Sequence, residues 1–362
     1  MNPATPSHRS SLDRRAFLGA TVAATAGTAL WGTSAAGRAE TPDAARLRIG
    51  FLGVAYSHAA EKIRLMRTSP DFELVGVWAE TEALARTYSE QDVPVLERDE
   101  LLRRCEVIAV ESEVQAHAEH ARLALEAGCH VHLEKPPAET MEDFDALVRL
   151  AREKDRLLQV GYMWRYNPAL RTAFEAAREG WLGDVFLVRA ALNNSLDARR
   201  RVEWAAFRGG VLFELGSHLV DAIVRLLGRP DRVASFLNTH GGDGDTLADN
   251  NVAIFTYPKA TAILTSAALQ PNAGAHRAFE ILGTRGTAVI RPLEPPTLHL
   301  DLARAVGPYH AGPQAVPLPA YRRYVDEFPA LARAIRSGEP LEVSLDRERD
   351  VQETLLRACG VL

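Results

Sequence analysis

Between residues 46 and 160, short apolar runs alternate with amphipathic stretches, and no other feature of the chain restricts its fold as much. Leu47 to Gly53, Glu73 to Trp78, Val107 to Val110, Cys129 to Leu133 and Leu157 to Val160 have the length and content of buried strands. Ser57 to Met66, Glu82 to Glu90, Ala116 to Ala127 and Met141 to Lys154 read as the helices between them. Parallel strands need a crossover and a helix supplies it, so the pattern predicts an α/β fold with a Rossmann-type, doubly wound parallel sheet. Ligands of such sheets sit in the crevice beyond the carboxyl ends of the strands. The fourth strand runs into Glu134-Lys135-Pro136-Pro137 and delivers an acid and a lysine there, making Lys135 a candidate catalytic group.

The first strand-to-helix turn carries part of a dinucleotide fingerprint. Gly53 stands at the first glycine position, Ala55 at the second and His58 at the third. The second glycine normally lets backbone approach a pyrophosphate, and the third lets the helix pack closely on the strand. Ala79 occupies the place expected for an acidic ribose ligand, and Glu80 follows it. With no Arg or Lys immediately beside Glu80, NAD is favoured over NADP. The candidate cofactor contacts are Gly53, Ala55, Ser57, His58 and Glu80, then Ser112, Glu113 and His117 past the third strand, and Glu134 with Lys135 past the fourth. Glu113 is expected to face the cleft, whereas Glu111 reads equally well as a solvated loop acid.

After residue 160 the chain changes character. Aromatics flank Arg165 and Asn167 in Gly161-Tyr162-Met163-Trp164-Arg165-Tyr166-Asn167-Pro168, which suits the wall of a polar ligand site. In the helical stretch from Gly209 to Asp221, Glu214, His218 and Asp221 stand at i, i+4 and i+7 and are expected on one face. Two carboxylates around an imidazole can orient and tune a general base near neutral pH. Runs at 185–192, 232–238, 251–257, 261–267, 279–282 and 287–290 predict an open, largely antiparallel sheet, closed by helices at 321–337 and 345–359. His276 and Arg277 precede one of these strands and are placed at the pocket edge. Candidate substrate contacts are therefore Trp164, Arg165, Asn167, Asp221 and His276.

Neither the acids nor the three cysteines, Cys105, Cys129 and Cys359, fall at a metal-ligand or disulfide spacing, so no metal is expected. A net charge of -5 with 25% charged residues suggests neither nucleic acid nor an anionic membrane as partner. At the N-terminus, Asp13-Arg14-Arg15-Ala16-Phe17-Leu18-Gly19 precedes a weakly apolar Ala/Thr/Gly stretch and small residues up to Ala39. That order reads as a twin-arginine export signal over residues 1–39, too short and too weakly apolar to span a membrane. It predicts a periplasmic or otherwise extracytoplasmic protein. The twin-arginine route carries folded proteins and thus admits one with a cofactor bound. The expected organisation is export signal, dinucleotide-binding domain over 46–160, and substrate-binding domain over 161–362.

Taken in order, Glu134-Lys135-Pro136, Arg165 with Asn167-Pro168, and Gly209-Gly210 leading to Glu214, Gly216, His218 and Asp221 carry a family resemblance. From about residue 46 to its end the chain resembles the Gfo/Idh/MocA oxidoreductases. The resemblance implies a Rossmann domain followed by an α/β domain whose open sheet commonly forms a homo-oligomer interface, which adds oligomerisation to the role of 161–362. It also implies oxidation of a sugar or polyol hydroxyl by hydride transfer to NAD(P). Lys135 matches the lysine that contacts the substrate hydroxyl and nicotinamide ribose, and His218 matches the usual acid/base. Glu214 stands where the family usually has Asp, and Ser112-Glu113-Val114 replaces its usual Thr-Pro-Asn. Departures from the family pattern thus gather on the nucleotide side. Two expectations follow: an exported carbohydrate oxidoreductase whose tightly bound NAD is regenerated within each cycle, or an exported carbohydrate-binding or scaffold protein that has lost its nucleotide.

Overall fold

The computed structural model describes residues 45–362, and the twin-arginine segment lies outside them. Strands β1 (Leu47–Leu52), β2 (Phe72–Trp78), β3 (Val107–Val110), β4 (His130–Leu133) and β5 (Leu158–Val160) form a parallel sheet in the order β2-β1-β3-β4-β5. The order reverses between β1 and β3, which opens a crevice at their carboxyl ends. Successive residues of a strand face opposite sides. Accordingly Val107 and Ala109 enter one apolar cluster, while Ile108 and Val110 enter the other.

Strands β6 (Val185–Ala191), β7 (Arg232–Asn238), β8 (Asn250–Thr256), β9 (Thr261–Ala267), β10 (Ala278–Gly283), β11 (Gly286–Ile290), β12 (Leu298–Leu302) and β13 (Gly312–Ala315) build the second sheet. Its order is β13-β12-β11-β10-β6-β9-β8-β7, with β6 and β9 parallel and the other pairs antiparallel. One face is covered: Ala262, Leu264 and Ser266 of β9 are buried, and the turn Leu212–Gly216 packs against that strand. On other strands Phe186 and Phe236 remain exposed. Among the described residues, no helix is long and apolar enough to cross a membrane.

The expected closing helix needs correcting. The helix expected from Tyr321 begins only at Glu327, because Tyr324 adopts φ +64, a conformation that a right-handed helix does not continue through. That helix, Glu327–Ser337, lies in the second half of the sequence yet packs on the first sheet. Phe328, Leu331 and Ala332 complete the cluster of Ile49, Phe51, Val107 and Ala109.

Candidate active site

Beyond β4 the chain turns through Glu134 into a cis Lys135–Pro136 peptide. The Lys135 ammonium donates to Glu214 Oε1 at 3.1 Å and to the Glu214 carbonyl at 3.0 Å. Tyr56, from the first turn of the parallel sheet, donates its hydroxyl to the same carboxylate oxygen, and Lys135 Nζ stands 5.2 Å from the Tyr56 ring centre. Glu214 belongs to a widened, π-helical turn, Leu212–Gly216, which runs into the helix Ser217–Leu227. Gly209 makes the approach to this turn possible: at φ +87, a Cβ there would lie 2.5 Å from Cys359 Sγ.

His218 sits one turn beyond Glu214, its ring centre 5.0 Å from Trp164 and 5.9 Å from Tyr162. Its Nδ1 is buried without a partner, which leaves Nε2 as the nitrogen open to the cleft. Burial, reinforced by the Lys135 charge, pulls its pKa well below the ordinary histidine value, so the ring is neutral. Glu214 Oε2, Tyr162 OH and Trp164 Nε1 are also buried without partners. Such atoms are rare in folded proteins; four of them lie in or beside this cleft, and others, Glu111 Oε2 and Glu327 Oε1 among them, lie elsewhere. Its volume is about 310 Å³, and Lys135, Trp164, Glu214, His218, Arg277 and Arg323 line it. A larger cavity of about 720 Å³ borders Tyr166, Arg171 and Arg333 and includes neither Lys135 nor His218.

Several expected substrate contacts serve the fold instead. Arg165 donates to Asp221 at 2.7 and 3.1 Å and to Glu348 at 2.6 and 2.7 Å, with all three side chains buried. Its planar fork is thereby spent on two carboxylates. Asp221 accordingly turns to Arg165 and does not share the cleft with Glu214 and His218, because a buried guanidinium demands a counter-charge. The Asn167 side chain caps the helix Pro168–Arg178 by accepting from Ala169 N at 2.9 Å, and donates to the Leu293 carbonyl at 3.0 Å. His276 lies away from the cleft beside Arg291, whereas its neighbour Arg277 lines it.

On the nucleotide side, Gly53 has φ +80, and a Cβ there would lie 2.5 Å from Ser112 Cβ and 2.7 Å from Glu80 Oε1. Glu80, one residue past the expected position, reaches back to the turn: its carboxylate accepts from Val54 N at 3.0 Å and Ala55 N at 3.3 Å. Gly53 N donates to the Trp78 carbonyl and Tyr56 N to that of Glu111, so these amides are occupied. The helix begins at Ala59 instead of Ser57, which places His58 before it. A large ring is tolerated at this third-glycine position because it points to Glu134, with Nδ1 3.1 Å from Oε2, and does not wedge between helix and strand. Glu134 also accepts from the Lys135 amide at 2.9 Å. His117 ties the ends of β3 and β4 together, its two ring nitrogens 2.9 Å from the Ser112 carbonyl and 2.8 Å from that of Pro136. Glu113 is exposed and borders an adjoining cavity with Tyr56 and Glu214.

Below the cleft lies a closed charge cluster. Lys62 is fully buried, 2.7 Å from Glu111, 2.6 Å from Glu134, 2.9 Å from His132 Nε2 and 3.7 Å from Glu327. Glu111 is therefore no solvated loop acid. Burial raises its pKa to about 8 and that of Glu327 to about 7, outweighing the attraction of Lys62. Glu134, although burial opposes it, is held well below the usual range by Lys62 and His58. Neither Lys62 nor Tyr56 stood out in the sequence. For Lys62 a signal existed: it shares the spacing of Ala59, Ile63 and Met66, the buried face of its helix.

Residues 47–162 match the model of an oxidoreductase family with an NAD-binding Rossmann fold, and residues 170–289 match the Gfo/Idh/MocA C-terminal domain. The chain belongs to the Gfo/Idh/MocA family. It is 27% identical over 234 residues to scyllo-inositol 2-dehydrogenase (NADP(+)) of Bacillus subtilis, covering 63% of this chain and 64% of that one. It is 32% identical over 200 residues to D-glucoside 3-dehydrogenase of Escherichia coli, covering 51% of this chain and 55% of that one. Both matches span less than two thirds of the relatives. A UDP-N-acetylglucosamine 3-dehydrogenase from Acidithiobacillus ferrooxidans shares the fold, with TM-score 0.74 and 22% identity over 88% of this chain and 98% of its own.

The residues present suit the dinucleotide this family fold implies. Gly53 lets Ser112 and Glu80 close on the turn, Glu80 brings a carboxylate there, and Ser112 Oγ is buried without a partner. The Ser57 and His58 amides, just before the helix Ala59–Met66, have no partner among the described residues. These are donors and acceptors of the kind that phosphate and ribose require. Among the described residues, no group of three or more His, Cys, Asp or Glu is placed to hold a metal ion.

Proposed function

We propose that this protein oxidises a hydroxyl group of a sugar or polyol. The observation that carries this reading is the convergence of Lys135, Glu214 and neutral His218 on one cleft beside the nucleotide turn. A neutral imidazole facing the cleft can take the hydroxyl proton at Nε2, and the Lys135 ammonium stabilises the alkoxide that develops. Glu214 holds Lys135 in place, and the Tyr56 hydroxyl steadies Glu214. Trp164 supports the His218 ring and offers an apolar face to the sugar. NAD, when bound, supplies the hydride acceptor. Ser57, His58, Ser112 and Glu80 would hold it, and the Glu80 carboxylate disfavours the 2′-phosphate of NADP.

The reading extends to place and cycle. The twin-arginine pattern supports export to the periplasm or another extracytoplasmic compartment, which has no free NAD pool, so in this reading the cofactor stays bound and is regenerated within each turnover. Coupled oxidation and reduction of two sugars, epimerisation, or glycoside cleavage through a transient ketone all satisfy that condition. The exposed face of the second sheet, with Phe186 and Phe236, is where a second copy would pack. The test is to purify the folded protein, denature it and assay the released small molecules. NAD(H) should be recovered. If none is released and none binds when added, the redox reading fails.

A further inference from the structure

The cleft is more basic than a neutral sugar requires. Lys135, Arg200, Arg277 and Arg323 all line it, against two carboxylates, Asp197 and Glu214. Three of the four have a carboxylate partner: Lys135 with Glu214, Arg200 with Glu203, and Arg323 with Glu294. The fourth does not. Arg277 is partly buried and donates through Nε to the Asn193 carbonyl at 3.2 Å, but its two terminal amino groups have no partner among the described residues. Burial and the neighbouring Arg323 act against its charge, and the carboxylate acting for it, Glu294, is already paired with Arg323. A guanidinium in such a place ordinarily carries a carboxylate, as Arg165 carries two in this same molecule.

We infer that the missing partner is on the substrate: the cleft takes an acidic carbohydrate, a hydroxylated ring bearing a carboxylate, sulfate or phosphate, with the acidic group bound by Arg277. This deepens the carbohydrate reading above and rests on it. Arg277 comes from the segment entering β10, and Arg323 comes from the loop before the helix Glu327–Ser337. The guanidinium fork suits each of these anions, because it presents parallel N–H donors to paired oxygens. Trp164 and Trp204, also in the lining, provide apolar surface for the ring.

The test is calorimetric titration of the purified full-length protein with matched sets of hexose, hexuronate, hexose 6-sulfate and hexose 6-phosphate in the gluco, galacto and manno series. At least one acidic member should bind about tenfold or more tightly than its neutral hexose, the range expected for charge-assisted hydrogen bonds. The preference should shrink as salt is raised. Arg277→Gln should bring the ratio to within about threefold of unity, while Arg277→Lys, which keeps the charge, should retain a larger part of it. Which acidic member is preferred identifies the anion. If no acidic member outbinds its neutral counterpart, or if Arg277→Gln keeps the full preference, the inference is overturned. Because binding is read without turnover, failure of hydride transfer would sink the redox reading and leave this one standing. Oxidation of neutral sugars without acidic preference would do the reverse.

Discussion

Lys62 and Lys135 are both buried at the crevice end of the parallel sheet, yet their surroundings differ. Three carboxylates and a histidine enclose Lys62, and no part of it is exposed. Lys135 has a single carboxylate partner and opens onto a cavity fringed by unpartnered polar atoms. The same contrast separates Arg165, with Asp221 and Glu348, from Arg277, with no carboxylate. Clusters that close on themselves fasten the two sheets and their helices together. Cations that open onto a cavity with fewer partners, as Lys135 and Arg277 do, mark where a ligand supplies the rest.

The comparison is most easily broken at the lysines. Lys62→Met should cost about 3–5 kcal/mol, because it strands buried carboxylates with no cation. Lys135→Met should cost about 2 kcal/mol or less, since it strands a single carboxylate that keeps the Tyr56 hydroxyl as a donor. Denaturant unfolding measures both, and equal losses would erase the distinction between closed and open clusters. A smaller effect lies in the pH dependence of stability. Glu327 has a folded pKa of about 7, above its ordinary 4.5, so its contribution is complete below 4.5 and is lost as pH rises through 7. His58, His132 and His218 are shifted below 6.5, so theirs is present above 6.5 and is lost as pH falls. Thermal stability should therefore peak at about pH 6 and decline on both sides. Glu111, raised to about 8, acts on the same limb, so Glu327→Gln should make that limb shallower without abolishing it; an unchanged slope would remove Glu327 from the account.

The parallel sheet was legible because its alternation of strand and helix is local, and Lys135, Glu214 and His218 were legible because each lies in a short, well-marked element. The roles of Arg165 and Asp221 were not. An arginine among aromatics looks the same in sequence whether its partner is a substrate or Glu348, 183 residues away. Asp221 keeps helical spacing from His218, but it points to Arg165 and so lies outside the cleft. The return of Glu327 to the first sheet is a tertiary event with no local signature, and so the closed cluster around Lys62 was invisible. Glu80 illustrates the opposite case. An acid one residue past the expected position reaches the turn because its side chain is long enough.

The central claim is that the open cluster does chemistry and that His218 is its base. Steady-state kinetics of His218→Ala on a sugar that the wild-type protein oxidises, with melting temperature and bound dinucleotide measured on the same sample, tests it most directly. The account predicts a fall in kcat/KM of at least about a hundredfold with stability and dinucleotide content retained. Retained activity, or a loss that merely tracks unfolding, would contradict it.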